Sequence, residues 1–475
     1  MSDLPANEVA ANAIPTRPSG LELATIGFVS LIPGLGGLSA SRRVLVAFRG
    51  GIWTIAGYGT SQVVRLASTL VLARMVAPRA FGLVALVTVF LSGLESLSDL
   101  GIGMDVIQHK RGDDPVFINT AFIIQVGRGV IIWAVAAALA YPFAVFYNQP
   151  AILALAIVGS LTTLVRGFAS GSIWTLTRHV RLKQLTILNT GSDVFGLLVS
   201  VIWAIYSPTA WALVAGRVAA TVALTVASHV IAENPVSMGW DKKAAREIFA
   251  FGTGVFVSTS TYFLAGEAER LVVGKFVNLI ELGCFSLALS ISMAASRGFQ
   301  QVVSQVFFPM MSDSIRQDLE GAIRHFKKTR HLVLILSSCM SFGFIIGSNW
   351  VVHLLLGPKY AMTGWMLQLL GVRGALELFT SVTSLMLFAL GTSRYAAIAN
   401  ISKLMFLGIG LSIAFGRFGF HGALWVLTLA PLANYVPIVI GLRRHCAPVL
   451  RSELASFGSF VAITAFAMVF FGMIR

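Results

Sequence analysis

The sequence predicts an all-α bundle that crosses a membrane many times. Three observations carry this reading. Hydrophobic residues fill 56% of the 475 positions and charged residues only 12%, against about 25% charged in a soluble domain. Apolar stretches of about 20 residues, the length that spans a bilayer, recur from residue 52 to residue 474 with short polar turns between them. Lysine and arginine also fall unevenly on alternate turns.

Thirteen spans are predicted, near 52–73, 82–104, 117–141, 151–171, 186–206, 209–232, 249–268, 282–308, 331–353, 364–390, 395–416, 420–441 and 455–474. Ala77-Pro78, Asn148-Gln149-Pro150, Ser207-Pro208, Gly357-Pro358 and the stretch from Gly416 to Gly422 punctuate them, because proline and glycine interrupt a helix. Residues 1–20 are polar and rich in Ala and Pro, without the basic-then-apolar order of a signal peptide. Residues 21–40 are apolar but broken by Pro33 and several glycines, so they read as an interfacial segment or a linker.

With the N-terminus inside, the inside loops hold twenty basic residues: Arg42, Arg43 and Arg49; Lys110 and Arg111; Arg178, Arg181 and Lys183; Lys242, Lys243 and Arg246; Arg316, Arg324, Lys327, Lys328 and Arg330; Arg394; Arg443, Arg444 and Arg451. The outside turns and the C-terminus hold seven: Arg74, Arg79, Arg270, Lys275, Lys359, Arg417 and Arg475. Positive charge stays on the cytoplasmic side of a membrane, so this asymmetry orients the bundle. No loop exceeds roughly 25 residues, the upper length of one span, which leaves no soluble domain. The net charge of +15 is spread over these loops rather than gathered on one face, which argues against nucleic acid as a partner. Residues 312–331, mixing five basic and three acidic residues, read as a short amphipathic helix on the anionic inner leaflet.

A repeat is visible at a constant offset of 201. Leu70–Val76 aligns with Leu271–Val277, Arg74 falling on Lys275, and Gly82 falls on Gly283. The repeat pairs the first span with the seventh in the same orientation, as two parallel six-helix halves about an axis along the membrane normal would. The predicted organisation is a cytoplasmic tail over 1–43, a six-helix lobe over 44–240, a second over 241–445 and an accessory transmembrane helix over 446–475.

Six arginines interrupt the apolar stretches: Arg65, Arg128, Arg166, Arg217, Arg297 and Arg373. A charge at mid-bilayer costs roughly 2.5–3.5 kcal/mol on insertion scales, so such a residue faces an interior or a cavity. Arginine keeps its charge and offers a planar fork that matches phosphate. Tyr58, Ser61, Gln62, Arg65, Ser68 and Thr69 recur every three or four residues and make one polar stripe. The eighth span repeats the pattern with Ser286, Ser290, Met293, Arg297, Gln300, Gln301 and Ser304, and the tenth with Arg373, Glu377, Thr380, Ser381 and Ser384. Hydroxyls and amides of this kind either line a cleft or glue helices together, and Arg373 and Glu377, four apart, can simply neutralise each other. Arg65, Arg297, Arg373, Gln62 and Gln300 are the candidate substrate contacts. Arg128 and Arg166 lie near predicted helix ends, within snorkelling reach of the interface, and Arg217 has Asp193 as a candidate partner.

Glu95, Asp99 and Glu267 are the candidates for coupling to an ion, since carboxylates at membrane depth titrate more readily than in water. Glu269 and Arg270, adjacent to Glu267, read instead as a structural ion pair. The histidines are scattered and Cys284, Cys339 and Cys446 are far apart, so neither a metal nor a disulfide framework is predicted. Nucleotide-binding motifs are missing too; no cofactor is expected.

The run from Leu72 to Gly82 (LARMVAPRAFG), then Asp99-Leu100-Gly101-Ile102-Gly103 with Ile107-Gln108, resembles the first helix pair of the polysaccharide transporter (Wzx-type) flippases. Their superfamily also holds the lipid II flippases and the MATE exporters. In the second half, Phe251-Gly252, Gly274-Lys275, Leu282-Gly283 and Phe308-Pro309-Met310 are similar to signatures of the same family. Its members often carry an Asp-Arg pair where this chain has Glu269-Arg270, and twelve or fourteen spans rather than thirteen. The resemblance implies a MATE-like fold and a flippase for an undecaprenyl-pyrophosphate-linked oligosaccharide repeat unit. Such a protein works by alternating access in a bacterial inner membrane, as a monomer, and supplies a polysaccharide polymerase and export machinery. The rival readings are a MATE-type ion-coupled exporter, for which an acid-rich cavity is expected, and a membrane-embedded polymerase, for which a long outer loop is expected.

Overall fold

The computed structural model describes residues 42–470 apart from 180, 233–236, 238, 303–306, 308–310, 312, 313, 316, 317, 391 and 393. The interfacial segment expected over 21–40, the last residues of the final span and Ser304 lie outside the described residues, as do the side chains of Tyr58 and Gln301.

Every regular element among the described residues is helical. The first half of the chain gives α1 (Arg42–Met75), α2 (Pro78–Ser96), α3 (Ile102–Gln108), α4 (Pro115–Phe146), α5 (Ala151–Gly159), α6 (Leu161–Gly167), α7 (Ser172–Arg178), α8 (Leu182–Tyr206) and α9 (Ala210–Val230). The second half gives α10 (Lys242–Phe276), α11 (Leu279–Val302), α12 (Leu319–Leu355), α13 (Thr363–Ala389), α14 (Arg394–His445) and α15 (Ala447–Phe470). Among the described residues nine helices are long and apolar enough to cross a membrane, and the bent run from α5 to α7 makes ten. α14 counts once there, although it holds two predicted spans that meet at Gly419, where the backbone leaves the helix at φ 62°. α1 and α10, at 34 and 35 residues, are longer than a span needs.

Three predicted elements change on inspection. The span expected over 82–104 is interrupted: α2 stops at Ser96 and α3 starts at Ile102, with Gly101 in the left-handed region at φ 58°. The span expected over 151–171 bends by 62° before α7. The separate surface helix expected over 312–331 merges from Leu319 onward into α12, which Asp318 caps by accepting from the Glu320 and Gly321 amides at 2.9 and 2.7 Å.

The offset of 201 governs more than the aligned residues. α1 ends at Met75 and α10 at Phe276, and α2 begins at Pro78 and α11 at Leu279. α2 and α11 pack along each other, and they do so through Gly82 and Gly283. A Cβ on Gly82 would strike the Leu279 carbonyl, and a Cβ on Gly283 would strike the Pro78 carbonyl. Small residues let membrane helices approach this closely. α13, whose most apolar stretch is 67% buried, packs between α11, α12 and α14.

Candidate substrate-binding cleft

The arginines of the first half are electrostatic neighbours of one another. α8 and α9 lie backbone to backbone because Gly216 meets Gly196 and Ser200. With Gly216 turned onto α8, the next residue points about 100° away around the helix. That residue is Arg217, whose electrostatic neighbours are Glu95 of α2, Arg166 of α6, Arg65 of α1 and Asp193 of α8. Arg217, Arg65 and Arg166 are all exposed side chains. Among the described residues none of the three guanidiniums makes an ion pair, and Asp193 stays in range of Arg65 and Arg217 without closing on either.

Arg128 does something else. Its Nε and Nη2 donate to the Ser98 and Glu95 carbonyls, both at 2.7 Å. These carbonyls lie at and just past the end of α2, where the helical ladder stops; Arg128 bonds both, and Ser98 also donates to the Glu95 carbonyl through its hydroxyl at 3.1 Å. Asp99 holds the other side of the break, its Oδ1 accepting from the Gly101 amide at 3.0 Å. Arg128 thus has backbone acceptors at the break in α2, while Arg166 is exposed near the C-terminal end of α6. Gln62 is half-buried, and beside it Ser61 lies 3.3 Å from Thr190, tying α1 to α8.

In the second half Arg373 is paired. Arg373 is 3% exposed, with Nη1 2.8 Å from Glu269 and Nε 3.2 Å from Glu377; Lys403 of α14 stands 3.8 Å from Glu377. Arg373, expected to contact substrate, therefore offers no free guanidinium in this conformation. The pair expected between Glu269 and Arg270 is not the one made. Adjacent residues diverge by about 100° on a helix, so Glu269 turns inward to Arg373 while Arg270 pairs with Glu267, one turn back, at 2.9 Å. Arg297 is exposed and touches the Met293 sulfur at 3.6 Å, with Glu377 as a more distant electrostatic neighbour. Gln300 is half-buried on the same helix.

Sequence reasoning missed a second buried set. Arg330, read as a loop residue, is 1% exposed, and Glu453 of α15 is fully buried. They lie 2.5 Å apart, and Glu453 also accepts from Thr383 at 2.8 Å and from the Tyr435 hydroxyl. The last helix is thus fastened to α12, α13 and α14 by one carboxylate.

At the loop ends of the first half, Arg111 lies 2.8 Å from Asp114 and 3.1 Å from Asp241, joining the caps of α4 and α10. The Arg111 guanidinium holds the Asp114 carboxyl below the usual range, helped by the Val116 amide. The Lys243 amide and then Arg111 do the same for Asp241. Arg178 donates to the Val106, Ile107 and His109 carbonyls and pairs with Asp113 at 2.9 Å. No group of three or more metal-ligating side chains occurs among the described residues.

Comparison with known proteins completes the picture. A family model described as polysaccharide biosynthesis protein matches residues 71–363. An uncharacterized membrane protein in the cps region of Klebsiella pneumoniae is 19% identical over 356 residues, 74% of this chain and 73% of its own length. Lipopolysaccharide biosynthesis protein WzxC of Escherichia coli (strain K12) is 22% identical over 314 residues, 66% of this chain and 63% of its own. Among solved structures, lipid II flippase MurJ in an inward closed conformation superposes with a TM-score of 0.64 at 13% identity, over 88% of this chain and 97% of that one. An inward-facing MATE family multidrug transporter gives 0.63 at 12%, over 83% and 95%. At these identities the structural likeness is one of fold.

Proposed function

The chain belongs to the polysaccharide biosynthesis protein family, and from that premise we propose that it is a flippase for a lipid-linked oligosaccharide. The substrate is an undecaprenyl-pyrophosphate-linked repeat unit, carried across the bacterial inner membrane for a cell-surface or exported polysaccharide. One observation supports this reading above the others: Arg65, Arg166, Arg217 and, from the second half, Arg297 are exposed side chains on membrane-depth helices without a carboxylate closed on them among the described residues. Unpaired charge at that depth is costly, and a pyrophosphate bound by several guanidiniums through charge-assisted hydrogen bonds offsets that cost. A MATE-type exporter of organic cations fits a cleft of this sign poorly.

The mechanism is alternating access between two six-helix lobes, with the N-terminus cytoplasmic; the shared offset of 201 in helix ends and in the Gly82–Gly283 contact supports it. Chemistry on the sugar is not part of the role, so the protein is a transporter rather than an enzyme. Glu95, near Arg128 and Arg217 and outside any ion pair among the described residues, is the coupling carboxylate that best fits, since Asp99 serves the turn and Glu267 serves Arg270. A monomer that hands its product to a polymerase and export machinery completes the reading.

Deleting the gene is expected to leave a lipid-linked oligosaccharide on the cytoplasmic face, detected by lipid extraction and side-specific labelling. Arg65→Ala, Arg217→Ala and Arg297→Ala, expressed at normal levels, should each fail to restore polymer. Wild-type polymer from all three would remove the arginine cleft from the mechanism.

A further inference from the structure

The repeat-related cations at the ends of α1 and α10 do not serve their own helices. Arg74 reaches the last turn of α12, its Nε donating to the Leu355 carbonyl at 2.9 Å and its Nη2 to the Leu354 carbonyl. Lys275 reaches the last turn of α4, its Nζ donating to the Phe146 carbonyl at 2.5 Å and lying 4.1 Å above the Phe146 ring. Each contact is answered by a tyrosine just beyond the helix that receives it. Tyr360 donates to the Val76 carbonyl at 2.9 Å, and Tyr147 donates to the Leu271 carbonyl at 2.9 Å. Lys359 adds bonds to the Arg74 and Val76 carbonyls at 2.8 and 3.0 Å. Two clasps result, α1 with α12 and α10 with α4, each fastening a helix of the first half of the chain to one of the second.

We propose that these crosswise clasps are the releasable seal at the end of the bundle where α1 and α10 finish, and that both part when the cleft opens on that side. The proposal rests on the alternating-access reading above. The chemistry of the contacts suits a seal that opens. Among the described residues no carboxylate takes part: the cations bond carbonyls at or just past helix ends, which lack a partner within their own helix and which water satisfies equally well, and Tyr147 adds a second bond to the Leu271 carbonyl inside α10. Arg74, Lys275 and Lys359 are exposed, so water can take their place as the helices separate. The buried Arg373–Glu269 pair has no such replacement and cannot open cheaply. The tyrosines supply the apolar part. Tyr360 is fully buried against Phe81, ring centroids 6.2 Å apart, and Tyr147 lies against the face of α10 at Gly274.

Two native cysteines provide the test. Cys284, next to Gly283, is fully buried beside the seal, while Cys446 is buried at the junction of α14 and α15. Two single-cysteine proteins, with the other two cysteines changed to alanine, are compared for their rate of reaction with a water-soluble maleimide. Combining Arg74→Ala with Lys275→Ala should speed labelling of Cys284 by roughly tenfold, the population shift expected from losing about one charged hydrogen bond, and leave Cys446 slow. Tyr147→Phe with Tyr360→Phe should act in the same direction. Unchanged labelling of Cys284 in both double variants overturns the proposal, and so does a parallel rise at Cys446, which marks general loosening. The assay uses no substrate, so it judges the seal whether or not the chain moves a lipid-linked oligosaccharide.

Discussion

Two regions of this bundle use the same side chain to opposite ends. In the second half Arg373 and Arg330 are buried within 2.5–3.2 Å of carboxylates. In the first half Arg65, Arg166 and Arg217 are exposed electrostatic neighbours with no carboxylate closed on them among the described residues. The difference lies in what the charge is set against. A paired arginine is part of the scaffold: removing either partner strands the other. An unpaired arginine at membrane depth is a standing cost that an anionic ligand relieves. Position in the bilayer does not separate the two; partnership does.

That contrast is exposed to direct attack. The largest effect is expected from Arg373→Met, which strands Glu269, leaves Glu377 only Lys403 and should cost about 3–5 kcal/mol of stability, read as thermal unfolding in detergent. Arg217→Met strands nothing and should unfold no earlier than the wild type, while transport falls roughly 10–100-fold, as loss of a charged hydrogen bond worth about 1.5–3 kcal/mol implies. The comparison collapses if the two variants exchange behaviour, Arg217→Met unfolding early and Arg373→Met losing transport alone. Arg128→Met sits between them, removing the guanidinium bonds to the Glu95 and Ser98 carbonyls; a stability loss of about 1–3 kcal/mol is expected, with faster hydrogen exchange confined to residues 95–103.

The smallest effect concerns the loop-end cluster. Asp114 and Asp241 are held below their ordinary value of 3.8, so the folded state favours their charged forms. Their contribution is complete above that value and is lost as pH falls through their lower folded values. Asp241→Asn should therefore flatten the acid limb of the stability–pH curve slightly, and salt should mimic the substitution in the wild type because these side chains are part-exposed. An acid limb unchanged by Asp241→Asn would remove the cluster from the account.

Much of the architecture was legible in the chain because hydropathy and loop charge are local properties. The runs that became α4, α8, α9 and α13 could be read within a few residues, and so could the offset that links Gly82 to Gly283. Charge at membrane depth was legible for the same reason. Partnership was not, since Arg373 finds Glu269 across 104 residues and Arg330 finds Glu453 across 123, separations that no helical periodicity encodes. The break in α2 was hidden because Leu100 and Ile102 keep the segment apolar on either side of Gly101. Glu453 escaped notice as a single acid on an apolar helix, with nothing nearby in sequence to mark it as buried.

The meeting of Pro78–Gly82 with Leu279–Gly283 has one more consequence. Each segment presents a glycine to the other's carbonyl, so the contact is isologous in form, like the two-fold face of a homodimer written into one polypeptide. In a true homodimer a single substitution alters both sides at once. Here the two sides are encoded separately, and a change at Gly82 leaves Gly283 as it was. The chain can keep a symmetric core contact while its halves diverge elsewhere, as Arg217, without a closed carboxylate among the described residues, and Arg373, held by Glu269, show.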